Sequence, residues 1–170
     1  MVLQYFVTAA ETGETVPVDI DKSTVQDLAA TKEDWQTDWT SGFIGDPALE
    51  KYTAKTEAGE IIALGAYRET ESSMFVYIEY IESHPASNPT LTARRKYLDI
   101  GRMMIAFGIQ LSIDSGKNGV VTFEAKTDEL AKHYIQDFGA VRVFAKQSGG
   151  PIILMIADNA ALSLFNTYLS

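Results

Sequence analysis

The stretch from Glu79 to Ala140 constrains this chain most. Ile78 to Pro85 reads Ile-Glu-Tyr-Ile-Glu-Ser-His-Pro, a strand running into a proline. A basic, turn-rich segment follows, with Arg94, Arg95, Lys96 and Tyr97 leading to Asp99-Ile100-Gly101. The pattern then predicts an apolar helix to Gly116, a buried strand over Val120 to Lys126, and a helix over Thr127 to Phe138 stopped by Gly139. Strand, crossover helix and strand in that order predict a parallel pair, because parallel neighbours need a long connection. A basic turn feeding a helix N-terminus is also where a phosphate would sit.

The flanking regions read as a meander and a closing unit. Leu3 to Ala10 is rich in aromatic and β-branched residues and predicts a strand. Thr15 to Ile20 predicts a second, which Pro17 should restrict to a sheet edge. Asp21 to Thr40 predicts one or two short helices, with Trp35 and Trp39 on a shared helix face. That pair serves either as core or as the wall of a substrate cleft. Leu49 to Thr56 and Ile61 to Arg68 predict a hairpin around Glu57-Ala58-Gly59-Glu60. Met74 to Ser83 is apolar on both faces and predicts a central strand. After Ala140, Val141 to Phe144 predicts a strand, Lys146 to Pro151 a loop, and Ile152 to Ile156 another strand. Asp158 or Asn159 is expected to cap a last helix to Tyr168, which covers the sheet or contributes to a homodimer.

Composition bounds the rest. The 170 residues, 46% of them hydrophobic, suffice for a single domain over residues 1–170. With no cysteine there is no disulfide, thiolate nucleophile or thiolate metal site, which fits a cytoplasmic location. No secretory signal is visible at Met1-Val2-Leu3-Gln4, and no apolar run reaches the ~20 residues of a membrane span. A net charge of -9 argues against nucleic acid and fits a cationic acceptor or partner, or simply a solvated acidic surface. No metal-ligand spacing, P-loop, dinucleotide fingerprint or Ser-His-Asp order is present, so no metal is expected.

Two motifs carry a resemblance. Lys96-Tyr97-Leu98-Asp99-Ile100-Gly101 is similar to the Q/R-x-x-G-x-G/A turn of the GNAT N-acetyltransferase superfamily, with Lys96 at the Gln/Arg position and Asp99 at the first glycine. His133-Tyr134-Ile135-Gln136-Asp137-Phe138-Gly139-Ala140 resembles that family's F-Y-x-x-x-G-F. Glu82-Ser83-His84-Pro85 followed by Asn88 looks like the E-S-x-P-x-x-N loop of one of its branches. The resemblance covers about the middle third of the chain. It implies an α/β fold, a mixed twisted sheet with helices on both faces, and transfer of an acetyl group from acetyl-CoA to a primary amine.

The resemblance also implies site residues. Amides of Leu98, Asp99, Ile100, Gly101, Arg102 and Met103 would hold the coenzyme A pyrophosphate, with Lys96 and Tyr97 beside them. Ile81, Glu82 and Ser83 would pair with the pantetheine arm, and Lys126 and Thr127 could touch the coenzyme. Tyr134 would protonate the leaving thiolate. Glu82 is preferred over Glu79 and His84 as the base that takes the amine proton, since glutamates three apart in a strand should face opposite ways. Plainer roles exist for the same residues. Asp99 and Thr127 are natural N-caps, and Leu130, Tyr134 and Phe138 form a core-like stripe. Asp99 is expected to turn its carboxylate back onto the Gly101 or Arg102 amide. The alternative function is a non-catalytic acyl-CoA-binding or protein-interaction module that keeps the fold.

Overall fold

The computed structural model describes residues 2–42, 44–143 and 150–170. Five strands form an antiparallel meander: β1 (Tyr5–Ala9), β2 (Thr15–Lys22), β3 (Leu49–Thr56), β4 (Ile61–Glu69) and β5 (Val76–Ser83). A short β6 (Tyr97–Leu98) pairs with Ala9 and Thr8 at the outer edge of β1. Next come α2 (Ile100–Asp114), β7 (Val121–Ala125) and α3 (Asp128–Phe138), then β8 (Val141–Arg142), β9 (Ile152–Ile156) and α4 (Asp158–Asn166). The five-residue α1 (Val25–Ala29) lies between β2 and β3. One nine-stranded sheet results, in the order β6-β1-β2-β3-β4-β5-β7-β9-β8. The parallel pair expected across the α2 crossover is β5–β7.

The two faces of β4 define two cores. Ala63 and Tyr67 belong to the larger one, with Met103, Met104, Phe107 and Ile109 of α2, Ala131 of α3, and Ala161 and Leu164 of α4. Leu64 and Ala66 face the other way, against Trp39, Ile44, Leu49 and, behind them, Leu28 of α1. Helices thus flank both faces. Among the described residues no helix is long and apolar enough to cross a membrane.

Tyr67 ties the sheet to α2. It is fully buried, its hydroxyl donates to the Met104 carbonyl at 2.7 Å, and its ring meets Phe107 edge-on. Two glycines make its seat. A Cβ on Gly65 would lie 2.7 Å from the ring, and one on Gly108 would lie 3.1 Å from its other edge. An interior this dense tolerates no extra methyl without displacing a neighbour.

Several local expectations change. Pro17 does not place β2 at an edge, since β2 lies between β1 and β3. The ladder to β3 begins only at Val18, so Pro17 faces β1 alone and no bond to β3 is lost. The Asp21–Thr40 region holds one short helix. β2 runs on to Lys22, and turns follow α1, so Trp35 and Trp39 do not share a helix face. Asp158 and Asn159 do not cap α4. Its N-cap is Ala157, with no side-chain hydrogen bond. The first strand of the closing hairpin, β8, starts as expected at Val141. Phe144 and most of the expected loop at 146–151 lie outside the described residues.

Replacing Gly65 by Ala should destabilise the fold by about 1–3 kcal/mol in urea melts, the usual range for an overpacked core. Gly42, where an added Cβ meets nothing within 4 Å, is the neutral control. Burial also raises the phenol pKa of Tyr5, Tyr67 and Tyr168. Each folded value therefore lies above the unfolded value of about 10. Their stabilising contribution is complete below that pH and declines above it. The tyrosinate absorbance of these three side chains should rise together with loss of circular dichroism, not before it.

Candidate active site

The site begins with one extra residue in β5. Ala66 pairs with Tyr80 and Tyr67 with Ile78, which leaves Glu79 as a bulge. The parallel ladder from β5 to β7 ends at the Ile78–Phe123 pair, one residue earlier. Beyond it the two strands part. A cleft of about 930 Å³ opens there, lined by β5, the end of β7, the start of α2 and one side of α3.

The bulge also reverses which way side chains point. Residues two apart in an unbroken strand share a face. Here Ile78 packs in the larger core, whereas Tyr80 packs with Trp39 on the opposite face. Glu79 lies 3.9 Å from Arg68, which shares its β4 face with Leu64 and Ala66. Glu79, Tyr80 and Glu82 therefore project to the same side, contrary to the simple alternation expected for the two glutamates.

Backbone groups follow the same logic. The amide of His84 donates to the Ile62 carbonyl of β4 at 2.8 Å. Antiparallel alternation then turns the polar groups of Glu82 to β4 and those of Ile81 and Ser83 toward the cleft. Ile81 and Ser83 are thus free to pair with an extended ligand, while the backbone of Glu82 is not.

The Glu82 carboxylate is buried, with 3% exposure, and holds a turn in place. Trp39 Nε1 donates to Oε1 at 2.9 Å, and the Gln36 amide donates to Oε2 at 2.8 Å. Thr37 Oγ1 donates to the Tyr80 hydroxyl at 3.1 Å. Segment 35–39 is in this way strapped across β5. The Gln36 side chain accepts from Asn88 Nδ2 at 3.0 Å, which joins the strap to the loop after β5. No local pattern in the sequence announces Gln36, because its partners are distant in the chain. Asn88 is legible only through the Glu-Ser-x-Pro-x-x-Asn spacing. His84 Nδ1 accepts from the Ala86 amide at 3.0 Å. The neutral ring then carries its proton on Nε2 and presents a donor, which argues against His84 as base.

On the other wall stands Tyr134. Its ring meets Phe123 edge-on at 5.0 Å, and burial raises its pKa. It is packed and cleft-lining at once. His133, beside it, is exposed, pairs with Asp137 and borders the cleft.

The start of α2 completes the cleft. Ile100, Gly101 and Arg102 have first-turn amides without intrahelical acceptors. A Cβ on Gly101 would meet nothing within 4 Å, so the approach there is open. Arg102 Nε is buried without a partner, and its guanidinium lies 5.6 Å from the Phe138 ring. An unpaired guanidinium N–H beside three free amides fits an anionic group. Tyr97, Asp99 and Lys126 line the cleft as well. Four of the expected residues lie outside the cleft lining. Lys96 is turned to Glu60 at 3.0 Å, and Leu98 is used in the ladder to β1. Met103 is buried and its amide donates to the Asp99 carbonyl. Thr127 caps α3 by accepting from the Leu130 amide at 3.1 Å, outside the cleft lining. Arg95, not Arg94, is the loop arginine at the cleft.

Solved structures share this architecture. A GNAT-family acetyltransferase from Listeria monocytogenes superposes with TM-score 0.55 over 88% of this chain and 98% of its own, at 14% identity. The spermidine/spermine N-acetyltransferase of Vibrio cholerae, solved with manganese ions, gives 0.56 over 86% and 95%, at 12% identity. The fold is that of the GNAT acetyltransferases. No protein-family model and no curated protein matches the sequence.

The GNAT frame explains Asp99. At the position of the first glycine in the motif that the sequence resembles, Asp99 adopts φ 69 and ψ 21, the left-handed region that glycine enters without strain. Its side chain makes no capping bond, so the expected capping rotamer is not adopted. Aspartate is among the non-glycine residues that tolerate this conformation, which accounts for the substitution. Asp99→Gly should therefore hold or raise stability, by at most about 1 kcal/mol once the freer unfolded chain is counted. Asp99→Ala should lower it. Thermal melts of the two variants give the comparison.

Proposed function

We propose that the chain is an acetyl-CoA-dependent N-acetyltransferase that acetylates a primary amine by direct transfer. The observation that carries this reading is the opening of β5 from β7, with Tyr134 on one wall and the free amides of α2 at one end. The thioester substrate would lay its pantetheine arm along Ile81 and Ser83 and its pyrophosphate against Ile100, Gly101 and Arg102. Arg95, Tyr97 and Lys126 would border it.

The chemistry needs three proton transfers. The ammonium form of the acceptor must lose a proton before its nitrogen lone pair can attack the thioester carbonyl carbon. Glu82 takes that proton, directly or through water, with the oxygen lone pairs left over from Trp39 and Gln36. The C–N bond forms, the C–S bond breaks, the thiolate accepts the phenolic proton of Tyr134, and the second proton of the acylated nitrogen passes, directly or through water, to the tyrosinate and restores the phenol. Burial keeps that phenol protonated beyond neutral pH, which is the state an acid requires. The Tyr134 hydroxyl thus leaves its proton on sulfur, and the products are an amide and free coenzyme A.

Acetyl-CoA should raise the melting temperature, by an amount equivalent to about 2.7 kcal/mol at a hundredfold excess over Kd. Tyr134→Phe should leave that shift intact and slow thiol release by about 10²–10⁴-fold, the usual range for general acid catalysis. Glu82→Gln should slow release more than Glu79→Gln, most of all at low pH, where the amine is hardest to deprotonate. A melting shift without thiol release from any amine would instead identify a non-catalytic acyl-CoA-binding module. No shift at millimolar ligand would remove the coenzyme reading altogether.

A further inference from the structure

We infer that Asn88 and Gln36 are a positioning pair for the transfer: Asn88 holds the Gln36 side chain, so that the main-chain amide of Gln36 keeps the Glu82 carboxylate in one orientation. This rests on the acetyltransferase reading with Glu82 as base. The last torsion of a glutamate is broad and soft, so a carboxylate held by one oxygen can still turn. Here each oxygen has a donor, Trp39 Nε1 on Oε1 at 2.9 Å and the Gln36 amide on Oε2 at 2.8 Å. The two donors are not equally secure. Trp39 is fully buried in the smaller core, whereas Gln36 is exposed in a segment of turns. Trp39 supplies the pivot, and the Gln36 amide stops the rotation.

The neighbours of Gln36 are tied down: the Trp35 ring meets His84 edge-on at 5.7 Å, and Thr37 bonds Tyr80. The peptide between them can still tilt, and the Gln36 side chain limits that. Among the described residues its hydrogen-bond partner is Asn88, whose Nδ2 donates to Oε1 at 3.0 Å. The direction of this bond is dictated by the backbone. A Thr90 amide can only donate, and it donates to Asn88 Oδ1 at 2.9 Å. Nδ2 must therefore face Gln36, and the Gln36 oxygen must receive it. Asn88 is also a firm anchor. It is buried, and its carbonyl accepts from the Leu91 and Thr92 amides, both at 3.0 Å. Beside it, Ser87 Oγ accepts from the Tyr97 amide at 3.0 Å, and the Ala86 carbonyl from the Lys96 amide at 2.9 Å. The loop is thus braced against the segment that leads into α2. Neither side chain has to touch a reacting atom, because both act through the direction of Glu82.

Thiol release from butylamine, ε-aminocaproate and 1,4-diaminobutane gives the assay, with the best of the three used for the comparison. Gln36→Met keeps the length of the side chain and removes its acceptor atom. It should lower kcat by about tenfold, the upper worth of one hydrogen bond, and leave the KM for acetyl-CoA unchanged. Asn88→Ala should cost as much, and the double variant no more than either. Because Gln36 is exposed, Gln36→Met should melt like the wild type, and it carries the test even where Asn88→Ala folds poorly. The deciding measurement is made with Glu82→Gln already in place. There Gln36→Met should cost nothing further, since the group it positions is gone. A spectroscopic signature needs no acceptor: in Gln36→Met the indole N–H resonance of Trp39 should move and the amide of residue 36 should exchange faster with solvent. Wild-type kcat in Gln36→Met, or an equal loss with and without Glu82, would overturn the inference and leave the acetyltransferase reading standing. Release unaffected by Glu82→Gln would remove the base and this inference together. Absence of thiol release from every amine would overturn the acetyltransferase reading as well.

Discussion

The site depends on the residue inserted at Glu79. A single extra residue in β5 ends the parallel ladder to β7, frees the backbone of Ile81 and Ser83, and turns Tyr80 and Glu82 away from the face of Ile78. Without it the ladder could continue past Phe123 and fill the gap with backbone bonds. If the same residues ran as an unbulged strand, with Glu79 paired in turn, Glu82 would point with Ile78 into the larger core, an apolar place where an unpaired carboxylate is costly. Opening the sheet and supplying a carboxylate beside the opening are consequences of the same local irregularity.

The second dependency is the strap over β5. Segment 35–39 has little regular structure and lies far along the chain from β5, yet three hydrogen bonds tie it to Glu82 and Tyr80. Two of them end on the carboxylate proposed as base. Chemistry and architecture therefore meet in one side chain. The Trp39 indole supplies both buried apolar area and the donor that orients Glu82, so neither aspect of that residue is separable from the other.

Much of this was legible in the sequence. The hairpin of β3 and β4, the α2 crossover, the Thr127 cap and the Gly139 stop follow from alternation, helical period and capping chemistry, and the structure keeps them nearly residue for residue. Tyr134 and the turn before Gly101 were legible through motif spacing. What escaped is non-local. The bulge is a relation between two strands. The strap is joined to β5 by partners more than forty positions away. The direction of Lys96 depends on Glu60 across the fold. The Trp35–Trp39 spacing suggested a helix because four-residue spacing is all that a local pattern can report. Asp99 occupies the N-cap position without a capping side-chain bond, because its left-handed backbone, which no residue type announces, decides the matter.

The seat of Tyr67 also gives the fold a direction in sequence space. An alanine at Gly65 or Gly108 meets the ring while tyrosine is present, whereas a smaller residue at 67 first removes that clash and leaves only the side-chain ends of Met104 or Ile78 to shift. The same set of substitutions is therefore passable in one order and obstructed in the other. The three positions form a ratchet. A lineage that has lost the tyrosine and filled a glycine cannot easily regain the ring, and its hydroxyl bond to α2 goes with it.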